Sequence, residues 1–169
     1  MATEALTLLD MMLTRPEYPT PNRQHYRTVV DACLHADPPR VTDAARLLVS
    51  APKGLASRET DGSLFREVCD HILVAAKQHA AAFAAEDGRG RQLPPQAIAE
   101  RRRLSSASLE LLDRMKRDGY KPRPFQYRAI LAGALDNTNT AARNGLVVLR
   151  HMVDGQCVPS RLDFQKVLR

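Results

Sequence analysis

The sequence contains no tryptophan, and aromatic residues make up only 5% of the chain. Together with abundant Ala and Leu, this shortage favours helices packed on helices over a β-sandwich. The apolar fraction of 44% is enough to build a core, which argues against wholesale disorder. At 169 residues the chain has the length of one domain or of a short array of repeats.

Cysteines are few, and long apolar runs are missing. The three cysteines, Cys33, Cys69 and Cys157, are odd in number and far apart, which argues for a reducing compartment and against a disulfide framework. No run approaches the length of a membrane span, so we expect a soluble or peripheral protein. MATEALTLLDMML at the N-terminus is neither a secretory signal nor Arg/Ser-rich like a transit peptide. An organellar protein would therefore carry its presequence outside this chain or in an unconventional form.

Acidic residues are outnumbered by basic ones, 19 against 25, and 20 of the basic residues are Arg. The net charge of +6 attracts polyanions, and the guanidinium fork matches phosphate geometry better than an ammonium group does. GC-rich genomes also yield Arg- and Ala-rich proteins, so charge alone does not establish nucleic-acid contact.

Aromatic residues begin each of four apolar stripes. Behind each aromatic, apolar residues recur at i+3, i+4, i+7 and i+8, the spacing of a helix buried on one side, although the fourth stripe is cut short at i+4. We call these first-type helices. Their leading aromatics are Tyr26, Phe65, Tyr127 and Phe164.

A second pattern lies between these stripes and defines second-type helices. ALTLLDMM at 5–12 matches SLELLDRM at 108–115, and GLVVLRHM at 145–152 repeats the pattern. Leu109 and Leu146 are 37 residues apart, as are Tyr127 and Phe164. An equal offset in both helix types indicates that one two-helix unit has been copied.

Repetition with a period near 35 predicts an all-α, right-handed α-solenoid of helix-turn-helix repeats, formed by residues 1–169 as a single unit. The aromatics are 39, 62 and 37 residues apart, so one unit is expanded by about 25 residues. The extra residues fall near 80–104, and 86–103 form a basic, Pro/Gly-containing insertion. Helices are predicted at 2–14, 22–36, 40–50, 62–85, 96–117, 124–136, 139–154 and 160–169.

The join between the last units resembles that of the pentatricopeptide repeat family. There a Leu-rich second helix ends in Met, a Gly turn and Pro follow, and the next first helix begins with an aromatic. Three joins carry the match, well over 2–34 and 104–169, whereas 35–103 fits only as a degenerate, expanded unit. A tetratricopeptide-like scaffold is the alternative. The matching residues are Leu109, Leu112, Met115, Gly119, Pro122 and Tyr127, then Leu149, Met152, Gly155, Pro159 and Phe164, and more loosely Leu9, Met12, Pro21 and Tyr26.

The resemblance implies a solenoid, found mostly in mitochondria and chloroplasts, whose first helices bind single-stranded RNA. In the family, bases are read by the residue after the aromatic and the residue after the Pro. The family's readers after the aromatic are usually Asn, Thr or Ser, whereas here they are mostly Arg, which puts base-by-base decoding in doubt. The matching positions are Arg27 with Asn22, Arg128 with Arg123, Gln165 with Ser160, and Arg66 after Phe65.

Arg27, Arg66 and Arg128 occupy the same place on three first-type helices, at the flank of the buried stripe. Stacked units would align them in a row able to clamp RNA phosphates or stack on bases. Equally, each Arg can cover the apolar edge of its neighbour and pair with a carboxylate.

The insertion supplies a second basic cluster. A basic loop can reach into folded RNA and order on contact, whereas the alternative is a solvated loop that runs into a charged helix start. The arginines concerned are Arg89, Arg91, Arg101, Arg102 and Arg103.

Catalytic and metal signals are poor. Cys33 and His35, like Cys69 and His71, are two residues apart on a helix and point to different sides, so they cannot readily share a metal. Cys33 and Cys69 lie in apolar stripes, which indicates core packing. GRGR at 88–91 lacks the strand–turn–helix context of a phosphate loop. We therefore expect a non-enzyme with no cofactor, no metal and no small-molecule substrate.

The leading hypothesis is an RNA-associated protein of an organelle, most plausibly a structural subunit or associated factor of the mitochondrial ribosome. Its expected partners are ribosomal or other organellar RNA and neighbouring proteins in a large assembly. The expected location is the mitochondrial matrix, with the chloroplast or cytoplasm as alternatives. Two other functions fit the pattern: a protein-interaction scaffold whose concave face takes a helix or peptide, and an organellar RNA-processing or stability factor.

Overall fold

A computed structural model describes residues 1–52, 62–87, 94–135 and 140–168. In these ranges the chain forms eight helices and no strand, which confirms the predicted all-α class. The helix ends differ from the predicted ones by at most two residues. The helices are α1 (Ala2–Thr14), α2 (Arg23–Leu34), α3 (Val41–Ser50), α4 (Gly62–Asp87), α5 (Pro95–Arg117), α6 (Pro124–Ala134), α7 (Ala141–Asp154) and α8 (Arg161–Val167).

The helices pack in two adjacent rows. Each helix contacts the next one along the chain, from α1 to α8. Helices α2, α4 and α6, all of the first type, also contact one another in sequence, and so do α3, α5 and α7. Helices α5 and α7 are of the second type by sequence, and α3 is grouped with them because it alternates with the first-type helices in the same way. One apolar cluster runs through these contacts from Leu9 in α1 to Val167 in α8.

The predicted stripes form the core of this packing. Tyr26, Phe65 and Tyr127 are 4%, 3% and 3% exposed, and the apolar positions that follow them are largely buried. Cys33 and Cys69 lie fully buried in these stripes, as predicted, and burial raises the pKa of both thiols. Both cysteines are therefore protonated packing groups.

Gly133 lies where α6 packs closely on both α5 and α4. A Cβ atom at this position would lie 2.3 Å from Ser108 Oγ in α5 and 2.7 Å from Ile72 Cγ2 in α4. These distances are shorter than any van der Waals contact, so a side chain here would push α6 away from both neighbours. Glycine is therefore required where α4, α5 and α6 meet.

The turns after α5 and α7 have the same backbone, but glycine stands at different positions in them. After α5, Gly119 has a φ of 71°, and its N–H and that of Tyr120 donate to Lys116 and Met115 carbonyls. This is a Schellman motif. After α7, Gln156 takes the left-handed position with a φ of 59°. Gln156, rather than Gly155, is thus the structural equivalent of Gly119. Gly155 instead makes room for Tyr127, whose hydroxyl oxygen would lie 2.4 Å from an added Cβ.

Candidate nucleic-acid interface

The three predicted row arginines lie on neighbouring first-type helices. Arg27 is on α2, Arg66 on α4 and Arg128 on α6. Each is the fifth residue of its helix and directly follows the buried aromatic. All three side chains are exposed, while the aromatic before each is buried. Because α4 contacts both α2 and α6, the structure brings these positions to consecutive helices of one row.

Each guanidinium group also has a contact within the protein. Arg27 Nε lies 3.8 Å from Asp31 Oδ2 one turn along α2. Arg66 lies over the ring of Phe125 in α6, with its Cζ 5.8 Å from the ring centroid. Arg128 Nε lies 3.6 Å from Asp163 Oδ1 in α8. Arg66 and Arg128 thus each contact the next first-type helix. This agrees with the alternative interpretation, in which each Arg covers the apolar edge of its neighbour or pairs with a carboxylate.

These contacts leave the guanidinium groups accessible. The Arg27 and Arg128 side chains are 46% and 50% exposed. An exposed pair such as Arg27 with Asp31 contributes about 0–1 kcal/mol, so a phosphate can compete for Arg27 at low cost. The carboxylate that pairs with Arg128 is 1% exposed, so a phosphate would bind the solvent-facing side of this guanidinium group rather than displace Asp163.

Asp163 is the most constrained partner in this region. Burial opposes ionisation of its carboxyl, but hydrogen bonds from the side chain and backbone of Ser160, together with the charges of Arg128 and Lys166, outweigh burial and lower its pKa. The side chain is 1% exposed, and its Oδ2 accepts hydrogen bonds from Ser160 N and Oγ at 2.8 and 2.7 Å. Arg128 is therefore held beside a fixed negative charge.

The residues after the three prolines are helix N-caps. Asn22 precedes α2 and its Oδ1 accepts from the backbone N–H of His25 at 3.2 Å. Ser160 precedes α8 and its Oγ accepts from the backbone N–H of Asp163 at 3.3 Å. At α6, the backbone N–H of Arg123 donates to Gln126 Oε1 at 2.8 Å. The side chains of Asn22 and Ser160 thus cap helices, whereas Arg123 takes part in its cap only through its backbone N–H and its side chain is exposed. The base-reading role that the family resemblance implies for these three residues stays a prediction.

The caps at Asn22 and Ser160 have a local sequence signal. A cap residue followed three positions later by a side chain that returns to the cap backbone is the capping-box pattern. Asn22 and His25, like Ser160 and Asp163, have this spacing. Gln165, the remaining predicted reader, lies half-buried in α8, on the helix that Ser160 caps.

The described part of the predicted insertion is mostly helical, and its last part belongs to the helix predicted at 96–117. Helix α4 continues to Asp87 and α5 begins at Pro95, so residues 95–103 form the first turns of α5. Arg89 and Arg91 fall outside the described residues. Arg102 and Arg103 are exposed, and Arg103 Nη1 lies 3.7 Å from Glu100 Oε2.

Arg101 is a correction to the predicted cluster. Its side chain is buried, and its Nη2 donates to the Leu135 carbonyl at the end of α6 at 3.1 Å. Its Cζ also lies 6.0 Å from the centroid of the Phe83 ring in α4. Arg101 therefore joins three helices and does not belong to an exposed basic surface.

The two basic clusters do not converge. Arg101 places the start of α5 against the end of α6, whereas Arg128 lies in the second turn of α6. Arg102 and Arg103 therefore lie toward the opposite end of α6 and on the other row of helices.

Arg114 is a key residue that the sequence patterns missed. Its side chain is buried, with Nε 2.6 Å from Asp118 Oδ2. Its Nη1 donates to the carbonyls of Val49, at 2.8 Å, and Ala51, and its Nη2 to that of Pro52 at 3.3 Å. Val49 and Ala51 lie at the end of α3, where carbonyl groups lack helical partners. Arg114 thus fastens α5 to the C-terminal end of α3.

Other site types receive no support from the described part of the chain. In those ranges no group of three or more His, Cys, Asp or Glu side chains could hold a metal ion, and no helix is long and apolar enough to cross a membrane. His35 and His71 have ring centroids 6.1 Å apart, but the Nδ1 atom of each lies within hydrogen-bond distance of a carbonyl of its own helix. No family model, curated protein or solved structure matches the chain.

Proposed function

We propose that this chain is an RNA-associated helical-repeat protein that contacts phosphates through Arg27, Arg66 and Arg128. The observation that carries the proposal is the repetition of an exposed Arg directly after a buried aromatic on three consecutive first-type helices. The two rows of helices, the 37-residue offset and the matching turns after α5 and α7 support a right-handed α-solenoid with pentatricopeptide-like repeats.

The proposed contact is to the RNA backbone rather than to base edges. Arg side chains carry a permanent charge and a planar donor fork, and both suit phosphate oxygens. Asn22 and Ser160, which are small and polar like the family's readers, use their side chains to cap helices. A structural subunit or associated factor of the mitochondrial ribosome, in the matrix and without catalytic activity, fits such sequence-independent binding.

The test compares two double variants in titrations of labelled single-stranded and hairpin RNA at several salt concentrations. Arg27→Ala with Arg128→Ala removes two charges from the row, and Arg46→Ala with Arg143→Ala removes two exposed charges from second-type helices. We expect the row variant alone to weaken binding. Its plot of log affinity against log salt should lose about 0.7 of slope per phosphate contact removed.

Lysine variants separate charge from geometry. Arg27→Lys with Arg128→Lys keeps both charges but loses the fork, so partial binding should remain if phosphates are the ligand. Equal weakening in both alanine variants would mean that diffuse charge, not the row, attracts RNA. Unchanged affinity in the row variant would overturn the proposal.

A further inference from the structure

Helix α1 exposes an apolar side chain that its sequence equivalents bury. Leu8 in α1 occupies the position of Leu111 in α5 and Val148 in α7. Leu111 and Val148 are both fully buried, yet Leu8 is 54% exposed. Helix α5 packs between the first-type helices α4 and α6, and α7 packs between α6 and α8, whereas α1 packs against α2 on one side. The face of α1 that carries Leu8 therefore fits a first-type helix.

Helix α8 exposes the complementary face. Phe164 is 46% exposed, whereas its equivalents Tyr26, Phe65 and Tyr127 are at most 4% exposed. Leu168, four residues after Phe164, is 82% exposed, whereas Leu131, four residues after Tyr127, is fully buried.

The cover that α8 lacks is provided elsewhere by the end of a second-type helix. The hydroxyl of Tyr127 donates to the His151 carbonyl near the end of α7 at 3.2 Å. The ring of Phe65 lies 5.2 Å from that of Tyr120, just beyond the end of α5. The face of α8 therefore fits a second-type helix, and α1 is such a helix by sequence.

Charge favours the same pairing. Helix α1 exposes the acidic residues Glu4 and Asp10 and contains no Lys or Arg, although Glu4 Oε2 lies 2.9 Å from the Met1 amino group and Arg15 follows the helix. Helix α8 exposes Arg161 and Lys166, while its one carboxylate, Asp163, is buried in its own cap. Opposite charges around two apolar faces favour their association over the pairing of like faces.

We propose that a second copy of this chain covers these faces, with α1 of one molecule packed on α8 of the next. The two helices run antiparallel, as α6 and α7 do, which places Phe164 beside Met12 and Leu168 beside Leu8 of the other copy. The contact joins different surfaces of the two molecules, so it extends head to tail unless the rotation between copies closes a ring. It requires no RNA and is independent of the function proposed above.

Sedimentation velocity of the purified chain, nuclease-treated and in reducing agent, tests the proposal over about a hundredfold range of concentration. The mass should rise with concentration beyond that of a monomer. Leu8→Glu and Leu168→Glu each place a charge in the contact, and each should weaken association at least about tenfold. Val74→Glu, at an apolar position of α4 that is 53% exposed, is the matched control and should associate like the unaltered chain.

Mixing the two variants gives the decisive result. The Leu8→Glu chain retains its α8 face and the Leu168→Glu chain retains its α1 face, so the mixture should form one intact contact. It should therefore yield a one-to-one dimer that grows no further, because the two altered faces repel one another. A monomer at all concentrations would overturn the proposal. Failure of the mixture to associate would exclude head-to-tail pairing.

Discussion

Arg114 and Arg128 lie on the neighbouring helices α5 and α6 but in opposite surroundings. The Arg114 side chain is 6% exposed and donates to Asp118 and to three backbone carbonyls around the end of α3. The Arg128 side chain is 50% exposed, and its Nε lies 3.6 Å from the carboxylate of Asp163. The guanidinium group of Arg114 is buried among hydrogen-bond partners within the protein, whereas that of Arg128 remains half exposed to solvent.

The difference shows that the Arg excess of this chain is not all binding surface. Arg101 and Arg114 are buried and join helices, so they leave less charge for a partner than composition indicates. Arg27, Arg66 and Arg128 keep exposed side chains, and the Arg27 ion pair is exposed on both sides and therefore weak. The position of an Arg in the fold, rather than its residue type, therefore decides whether its side chain joins helices or stays exposed.

The largest expected effect is on Arg114. Arg114→Met leaves the Asp118 carboxylate buried without its cation and removes three donors from carbonyl groups. We expect a loss of about 3–5 kcal/mol in the free energy of unfolding, measured by urea denaturation. Arg117→Met, at an exposed position of the same helix, should cost less than about 0.5 kcal/mol.

A second variant tests the cause of that loss. Replacing Asp118 by Leu in the Arg114→Met background removes the stranded charge and should recover part of the stability. The carbonyls of Val49, Ala51 and Pro52 would still lack donors, so recovery should be incomplete. Full recovery would show that these three hydrogen bonds contribute nothing measurable.

Arg101 should show an intermediate effect. Arg101→Met removes the donor to the Leu135 carbonyl, and we expect a loss of about 1–3 kcal/mol. Burial, and secondly the charge of Arg101, lowers the pKa of His79, so the variant should raise that pKa while burial still holds it below its usual value. NMR titration of His79 measures this, with Arg102→Met as the exposed control. An unchanged pKa of His79 would show that the charge of Arg101 does not act on this imidazole.

The helices could be predicted from sequence because their stripes are local. Residues three and four apart define a buried face without knowledge of what covers it. Hence the stripes that begin at Tyr26, Phe65 and Tyr127 were found, and the helix ends lie within two residues of those predicted. Even so, Phe164 begins the same pattern and is half exposed, because periodicity does not report whether a neighbour is present.

The roles of individual arginines could not be predicted, because they depend on distant parts of the chain. Arg114 donates to carbonyls more than sixty residues earlier, and no local pattern marks such a partner. Arg101 stands between Arg102 and Glu100 in a charged run, yet it alone of the three is buried. The caps at Asn22 and Ser160 depend only on residues three positions away and could be predicted from the sequence, whereas the family resemblance predicts base reading for the same residues.

Asp163, the partner of Arg128, should show a smaller effect that depends on pH. Because its folded pKa is lowered, the carboxylate stabilises α8 fully above the unfolded pKa of about 3.9, and this contribution is lost as the pH falls through the folded pKa. Asp163→Asn should remove this acid-dependent part, at a cost of about 1 kcal/mol above that range. Amide chemical shifts of α8, followed from neutral to acidic pH, measure it. Asp154→Asn is the exposed control, and an identical acid transition in both variants would exclude Asp163 as its source.

The smallest expected effect concerns Arg27 and Asp31. Both side chains are more than two-fifths exposed and their charged atoms are 3.8 Å apart, so water and salt screen the pair. A double-mutant cycle with Arg27→Ala and Asp31→Ala should give a coupling energy of about 0.3–0.5 kcal/mol in urea denaturation, falling with added salt. A coupling above about 1.5 kcal/mol would contradict the view that Arg27 is free to exchange its carboxylate for a phosphate. Arg27, like Arg114, would then be a residue that mainly stabilises the fold.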